Sequence, residues 1–489
     1  MFRTVTKSKL FFLGLLIIGI AIRIYFIFLR KYPTGDEIWV YYLVKKDFST
    51  IWYSSLSDYH APFYFLALTF FQKLTHIDLG VISVRMISLV FSIFAVYLIW
   101  FLVREKYGRK EAVFAYLLSL FSPVFVWSAI FARYYSMLIV ITILSIIFFD
   151  KFLRGGNIWY LTGLLFLSVL GIYTHYYFIA AVLAFNLFLI LNKRKFFIKL
   201  LTFDSLVFVL CFPLLYYFLL LPKADFAGRH INDILKIAGA LITNITSWEV
   251  LLFSYKAGNY WLLFAYFSVI GALFALILYL FIRKNKDYFS RLVLSMFFVP
   301  IGIILFYSYL VKPLFSLSSL LIFAPFTIII LSRVLAKSGK LLAVTVSIII
   351  ISSLFILFRS SYTYKSLPDD FKVISKEFQK GDLIIHSHIY TYLMGKYYFG
   401  DRANFGITSA FSATIYSEEA LGYKLITPEE LINTKRVWFL NAPWDLRPEA
   451  SGAKRVLREN FKETKKSLIL SAGRFQENDF EVYLYEGKM

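Results

Sequence analysis

Residues 10–37 read LFFLGLLIIGIAIRIYFIFLRKYPTGDE. About twenty consecutive, mostly apolar residues suffice to carry a helix across a bilayer. Here such a run leads directly to two adjacent carboxylates, Asp36 and Glu37. No small-residue cleavage site follows it, so it reads as a retained spanning helix rather than a secretory signal. The rest of the chain agrees. Of its 489 residues 59% are hydrophobic and only 17% charged, with a mean hydropathy of +0.69, whereas soluble domains are about 25% charged. The chain therefore reads as a polytopic α-helical membrane protein. The one cysteine, Cys211, excludes an intramolecular disulfide framework and a cysteine-based zinc site.

About eleven hydrophobic spans can be drawn, at 10–30, 80–103, 111–130, 132–153, 158–173, 176–192, 198–221, 259–282, 291–311, 314–334 and 340–359. The formal net charge of +22 would suit a nucleic-acid partner if it were spread over a soluble surface. It is not. Residues 1–360 carry 34 Lys and Arg against 13 Asp and Glu, which leaves only 18 against 17 for the tail. With the N-terminus in the cytoplasm, 20 of those 34 basic residues fall at cytoplasmic ends, against four acids, Glu105, Glu111, Asp150 and Asp287. Short cytoplasmic loops are rich in Lys and Arg, so the charge sets this orientation and meets anionic headgroups. An odd number of spans then leaves the tail outside the cell.

The expected organisation is a membrane module over residues 1–359 and a small extracytoplasmic α/β domain over 360–489. Two outer loops, about 31–79 and 222–258, are too long to be passive connectors. The first holds Asp36, Glu37, Asp58 and His60 among apolar and aromatic residues that suit helices lying along the membrane surface. Arg85, Arg133 and His175 fall at outer ends of spans, Arg229 and Lys256 lie in the later loop, and Lys312 follows the ninth span. For Asp36 and Glu37, capping of a helix by Thr34 is one reading. A carboxylate acting as general base towards a hydroxyl is the other.

Several segments together resemble a known family. They are Asp36-Glu37 after the first span, His60-Ala61-Pro62-Phe63-Tyr64, Arg85 with Ser88, Tyr107-Gly108, Ser122-Pro123, Ala132-Arg133-Tyr134-Tyr135 and Thr174-His175-Tyr176-Tyr177. They resemble segments of the GT-C glycosyltransferases, and more narrowly are similar to those of the branch that includes protein O-mannosyltransferases and lipid A aminoarabinose transferases. The resemblance is good over residues 1–200 and diffuse afterwards. It departs from the family at Ala61, where proline is common, and at Lys312-Pro313-Leu314-Phe315, where relatives carry an arginine after the proline.

The resemblance implies a GT-C fold and an inverting transfer of sugar from a polyprenyl-phosphate donor to a hydroxyl acceptor (lipid A, glycolipid or protein) on the outer side. Asp36 would be the base and Glu37 its support. Arg85, Arg133, His175, Arg229, Lys256 and Lys312 would meet the donor phosphate, because preorganised cations stabilise a leaving anion. Asp58, His60, Tyr64, Tyr134 and Tyr176 would line the acceptor pocket. No cofactor is required and a divalent metal is optional, with Asp58, His60 and His175 as its weak candidates. Membrane lipids are expected partners and nucleic acid is not.

In the tail, residues 383–385, 435–440 and 480–485 read as strands, with helices over 371–379 and 452–461. His386 and His388 read as a surface loop. The alternative function is a transporter, which favours ionisable residues near the midplane; this sequence is expected to keep them at span ends.

Overall fold

The computed structural model describes residues 2–30, 33–57, 60–192, 196–220, 260–310, 323–362, 374, 376–386, 389–399, 404–407, 431, 433–441, 455–469 and 480–487. They divide into two compact units. The first takes residues 1–28, 61–64 and 82–358, and the second takes 29–60, 65–81 and 359–489.

The first unit is helical. Its elements are α1 (Phe2–Leu29), then α5 (Val81–Lys106), α6 (Arg109–Phe121), α7 (Pro123–Ala129), α8 (Tyr135–Gly155), α9 (Ile158–Thr174), α10 (Phe178–Asn192) and α11 (Phe197–Leu220). They are followed by α12 (Tyr260–Lys284), α13 (Tyr288–Leu310), α14 (Ala324–Lys337) and α15 (Lys340–Tyr362). Helices α2 (Gly35–Leu43), α3 (Phe48–Ser57) and α4 (Phe63–Thr75) form the first loop, as the apolar and aromatic pattern there predicts. Helix thus occupies every expected span, the tenth from Ala324 onward. Among the described residues, five helices are long and apolar enough to cross a membrane, six with α6 and α7 counted as one bent span.

That bend falls inside the expected span 111–130. Pro123 has no N–H to give the carbonyl four residues back, so the helix breaks at Ser122 and turns by 51°.

The four acids among the clustered basic residues, Glu105, Glu111, Asp150 and Asp287, all have structural partners. Lys106 Nζ sits 2.6 Å from Glu105 and 2.6 Å from Asp150, which Arg154 also meets at 3.1 Å. Arg333 pairs with Glu111 at 2.5 Å and donates to Asn285 at 2.9 Å. Asp287 accepts from Ser290 N and Oγ at 2.8 and 2.7 Å. The Lys106 and Asp150 side chains are 2% and 0% exposed, so removing one partner strands a buried charge. Lys106→Met is expected to cost roughly 3 kcal/mol and to lower the thermal denaturation temperature of the solubilised protein. Adding Asp150→Leu should recover part of that loss.

Not every ionisable residue lies at a span end. Arg23 is inside α1 and fully buried, and Asp204 is inside α11, accepting from Asn186 Nδ2 at 2.8 Å. The expectation drawn from the transporter comparison is corrected on this point.

The tail contributes a five-stranded sheet of β1 (Leu383–His386), β2 (Asn404–Ile407), β3 (Arg436–Asn441), β4 (Phe461–Ile469) and β5 (Phe480–Gly487), in the order β2-β1-β3-β5-β4. β1 pairs in parallel with β2 and β3, while β5 is antiparallel to β3 and β4. Its core gathers Leu383, Ile385, Val437, Phe439, Phe461, Tyr483 and Tyr485. Three strands stand where the sequence pattern puts them. β4 was not expected: Phe461 leaves the helix reading of 452–461 and starts a strand, although 455–460 are helical. It carries an exposed Lys462, the kind of charge that keeps an edge strand from pairing with another chain. Helix α16 (Ile389–Phe399) follows β1 and packs on α2, with Tyr397 edge-on to Tyr41 at 5.4 Å.

His386 is not in a surface loop. It closes β1 with 0% exposure, and burial pushes its pKa down to about 3. Unfolded histidine takes a proton below about pH 6.5, whereas the folded side chain stays neutral until far lower pH. The sheet should therefore lose about 1.4 kcal/mol for each pH unit below 6.5. Amide exchange over 383–386, corrected for intrinsic rate and compared at pH 7 and pH 5, measures this, and His386→Leu should abolish the slope. His388 and residues 371–373 and 375 lie outside the described residues, while 374, 376 and 377 are helical.

Candidate active site

The acidic pair belongs to the second unit, at the start of α2. Thr34 caps this helix: its Oγ1 accepts from Glu37 N at 3.3 Å, while Glu37 Oε2 accepts from Thr34 N at 2.9 Å. This is the reciprocal box that satisfies two orphan amides at a helix start. Glu37 is fully buried, whereas Asp36 is half-buried. The two carboxylates therefore have different circumstances. Glu37 is held in the cap, and Asp36 sits beside it in the first turn. The capping reading holds for Glu37, whose carboxylate completes the box.

His60 is in the same unit. Its N–H donates to Ser55 O at 2.8 Å, and its ring lies on Trp39 at 5.0 Å, with Phe65 edge-on to Trp39 at 4.9 Å. Trp39 stands three positions after Asp36 on α2, so one helical turn joins the acidic pair to the histidine segment.

The first unit assembles the other residues. Between α7 and α8 the chain does not run straight into the next span. Residues 130–134 form a bend, tied by Arg133 N to Phe131 O at 2.9 Å, and α8 begins only at Tyr135. Arg133 is therefore not at the start of a spanning helix, as its position in the sequence suggested, but in the turn before it. Its guanidinium lies 5.7 Å over the Tyr134 ring, and only 6% of the residue is exposed. Tyr134 meets His175 at 5.0 Å and Tyr64 at 6.2 Å, and His175 meets Tyr177 at 4.8 Å.

The His175-Tyr176-Tyr177 link joins α9 to α10 as expected. His175 N donates to Gly171 O at 2.8 Å, and a Cβ at Gly171 would overlap Phe178, so only glycine allows this tight return. Arg85 is buried on α5, with Nη1 donating to Ile27 O at 3.3 Å. One turn later Ser88 Oγ donates to Arg133 O at 3.4 Å, joining two motif segments far apart in sequence.

Three segments of the resemblance, Tyr64, Arg133-Tyr134 and His175-Tyr176-Tyr177, thus converge in one unit around edge-on and tilted rings and a buried guanidinium. A planar, permanently charged fork over an aromatic face suits phosphate oxygens in a site of low dielectric. Asp58, Arg229, Lys256 and Lys312 lie outside the described residues. Among the described residues no three His, Cys, Asp or Glu side chains form a metal-sized group.

Residues 59–217 match the family model of dolichyl-phosphate-mannose-protein mannosyltransferase, a range that holds the converging residues but not Asp36 or Glu37. The crystal structure of ArnT from Cupriavidus metallidurans bound to undecaprenyl phosphate superposes with a TM-score of 0.57. Identity is 11%, and 98% of each chain is covered. The chain has a GT-C fold. The oligosaccharyltransferase of Archaeoglobus fulgidus, in complex with Zn and sulfate, aligns with a TM-score of 0.46 and 14% identity. That alignment covers 97% of this chain and 73% of the other; it is too distant to add to the comparison. No curated protein matches by sequence. With this fold and its membrane-length apolar helices, the chain is a multi-pass membrane protein. Arg23 is the residue that sequence reasoning passed over, though an arginine inside an apolar run was visible in it.

Proposed function

We propose that the chain is an inverting glycosyltransferase. It moves a sugar from a polyprenyl-phosphate donor to a hydroxyl acceptor, on the side of the membrane opposite the basic loops. The observation that carries this reading is the convergence of Tyr64, Arg133, Tyr134 and His175 within the segment that matches a mannosyltransferase family. The match to ArnT, which was crystallised with undecaprenyl phosphate, supports the donor class.

In the proposed reaction the Asp36 carboxylate takes the proton of the acceptor hydroxyl. The oxygen attacks the sugar C1 from the face opposite the phosphate, the C1–O bond to phosphate breaks, and the configuration inverts. Arg133, supported by Arg85 and His175, meets the charge that grows on the leaving phosphate. Glu37 orients Asp36 through the Thr34 cap. No metal is invoked in these steps. The acceptor is lipid A, a glycolipid or protein, and the extracytoplasmic tail over 360–489 selects it.

The ionisable residues within spans, Arg23 and Asp204, are the features that favour a transporter. One experiment separates the two readings. Purified protein in liposomes is given a radiolabelled polyprenyl-phosphate sugar and a lipid extract or a peptide pool. Label on a lipid or peptide product supports transfer. Movement of label across the bilayer with no new glycosyl bond would establish transport instead.

A further inference from the structure

The helix break at Pro123 leaves a chemical problem inside the bundle, because a carbonyl without a donor is costly where water is absent. Ser119 O is the carbonyl that residue 123 would have bonded, and proline cannot. In the structure a side chain from another helix does so. Arg23 Nη2 donates to Ser119 O at 3.3 Å and Nη1 to Leu120 O at 2.7 Å. The same guanidinium donates to Gly19 O at 3.0 Å, and its Nε to Ser92 Oγ at 3.3 Å. Ser92 in turn donates to Phe125 O at 3.2 Å, on the far side of the break.

The approach is close: a Cβ on Gly19 would overlap the Leu120 side chain. The cation also lies at the C-terminal end of α6, where the helix dipole is negative. Below the break the coupling runs on. Ser136 Oγ donates to Ser128 O at 2.7 Å, and Trp127 packs on Phe131 at 4.4 Å and Tyr135 at 5.1 Å. These contacts hold the bend that presents Arg133 and Tyr134.

We infer that Arg23 is a positioning residue. It replaces the amide that Pro123 lacks, fixes the angle between α6 and α7, and through α7 sets where Arg133 and Tyr134 stand. That the 130–134 bend faces the donor phosphate rests on the function proposed above; the fixing of the break does not.

Two measurements test this on the full-length protein in detergent or nanodiscs. The first is amide exchange over 119–134. R23M should exchange at least about tenfold faster there, and R23K should recover much of the protection because the ammonium still donates to carbonyls. R23M combined with P123A should also recover it, since alanine returns the amide that Ser119 O lost. The second is binding of undecaprenyl phosphate and the split between kcat and KM for transfer. R23M should lose about tenfold in donor binding, R23K should regain most of it, and R23M/P123A should stay impaired because a straightened helix moves the bend.

Should R23M fail to fold, P123A alone decides the matter: it should keep exchange protection while weakening donor binding. Equal exchange in R23M and wild type, or a double variant as unprotected as R23M, overturns the inference. If wild-type protein neither binds nor transfers from a polyprenyl phosphate, the proposed function fails, and the exchange series still decides the role of Arg23.

Discussion

Asp36→Asn is expected to lower the rate of sugar transfer by about 10²–10⁴-fold, the usual contribution of a positioned general base. The amide keeps the size of the carboxylate but cannot take a proton from a hydroxyl. The fold should be unaffected, because the carboxylate in the α2 capping box is that of Glu37, which bonds Thr34 N and Oγ1. Donor binding should stay within about twofold of wild type, since the phosphate is assigned to other residues. Single-turnover transfer of a labelled sugar from its polyprenyl phosphate measures the first effect, and equilibrium binding of undecaprenyl phosphate the second. Near wild-type transfer by Asp36→Asn would remove the residue from the mechanism. Glu37→Gln provides the contrast. Its amide oxygen still accepts from Thr34, so transfer should fall far less.

Substitution of Arg133 should give the next largest effect. A donor aimed at charge that develops during reaction is worth about 10²–10³ in rate. Arg133→Met is expected to lose that much in kcat/KM and to weaken binding of undecaprenyl phosphate. Arg133→Lys should recover only part, because an ammonium keeps the charge but neither the fork nor the face that lies over Tyr134. The comparison of Met and Lys separates charge from geometry. If Arg133→Met binds and turns over within about threefold of wild type, the phosphate is held elsewhere, and Arg85 and His175 become the residues to vary.

The parts of this protein legible in its sequence are those whose physics is local. The helix in each expected span follows from the cost of burying backbone amides in lipid, which any sufficiently apolar stretch must answer by helix formation. The Thr34 cap of α2 was readable because its parts lie three residues apart. The strands over 383–386, 436–441 and 480–487 stand where their apolar pattern puts them. β4 escaped because an edge strand bears charge where a central one bears aliphatic residues. His386 escaped for the converse reason: a polar residue at a strand end looks like the start of a loop until the sheet around it closes.

Hydropathy, charge and motif order add up along the chain one residue at a time, so the helical spans, the basic clusters and the likeness to GT-C glycosyltransferases could be read without coordinates. Contacts do not add up in that way. The sequence drew one span through Ser122-Pro123, and only packed helices reveal that Arg23, 97 residues from Leu120 in sequence, supplies the donors missing at the break. Arg133 could be counted at a span's edge, yet its place in a bend, over Tyr134 and near the Ser88 hydroxyl, depends on how α5, α7 and α8 meet. Tyr64, Tyr134 and His175 come together for the same reason. Which side chains share a site is settled by the packing of helices against one another, a property of pairs of segments that no single segment carries.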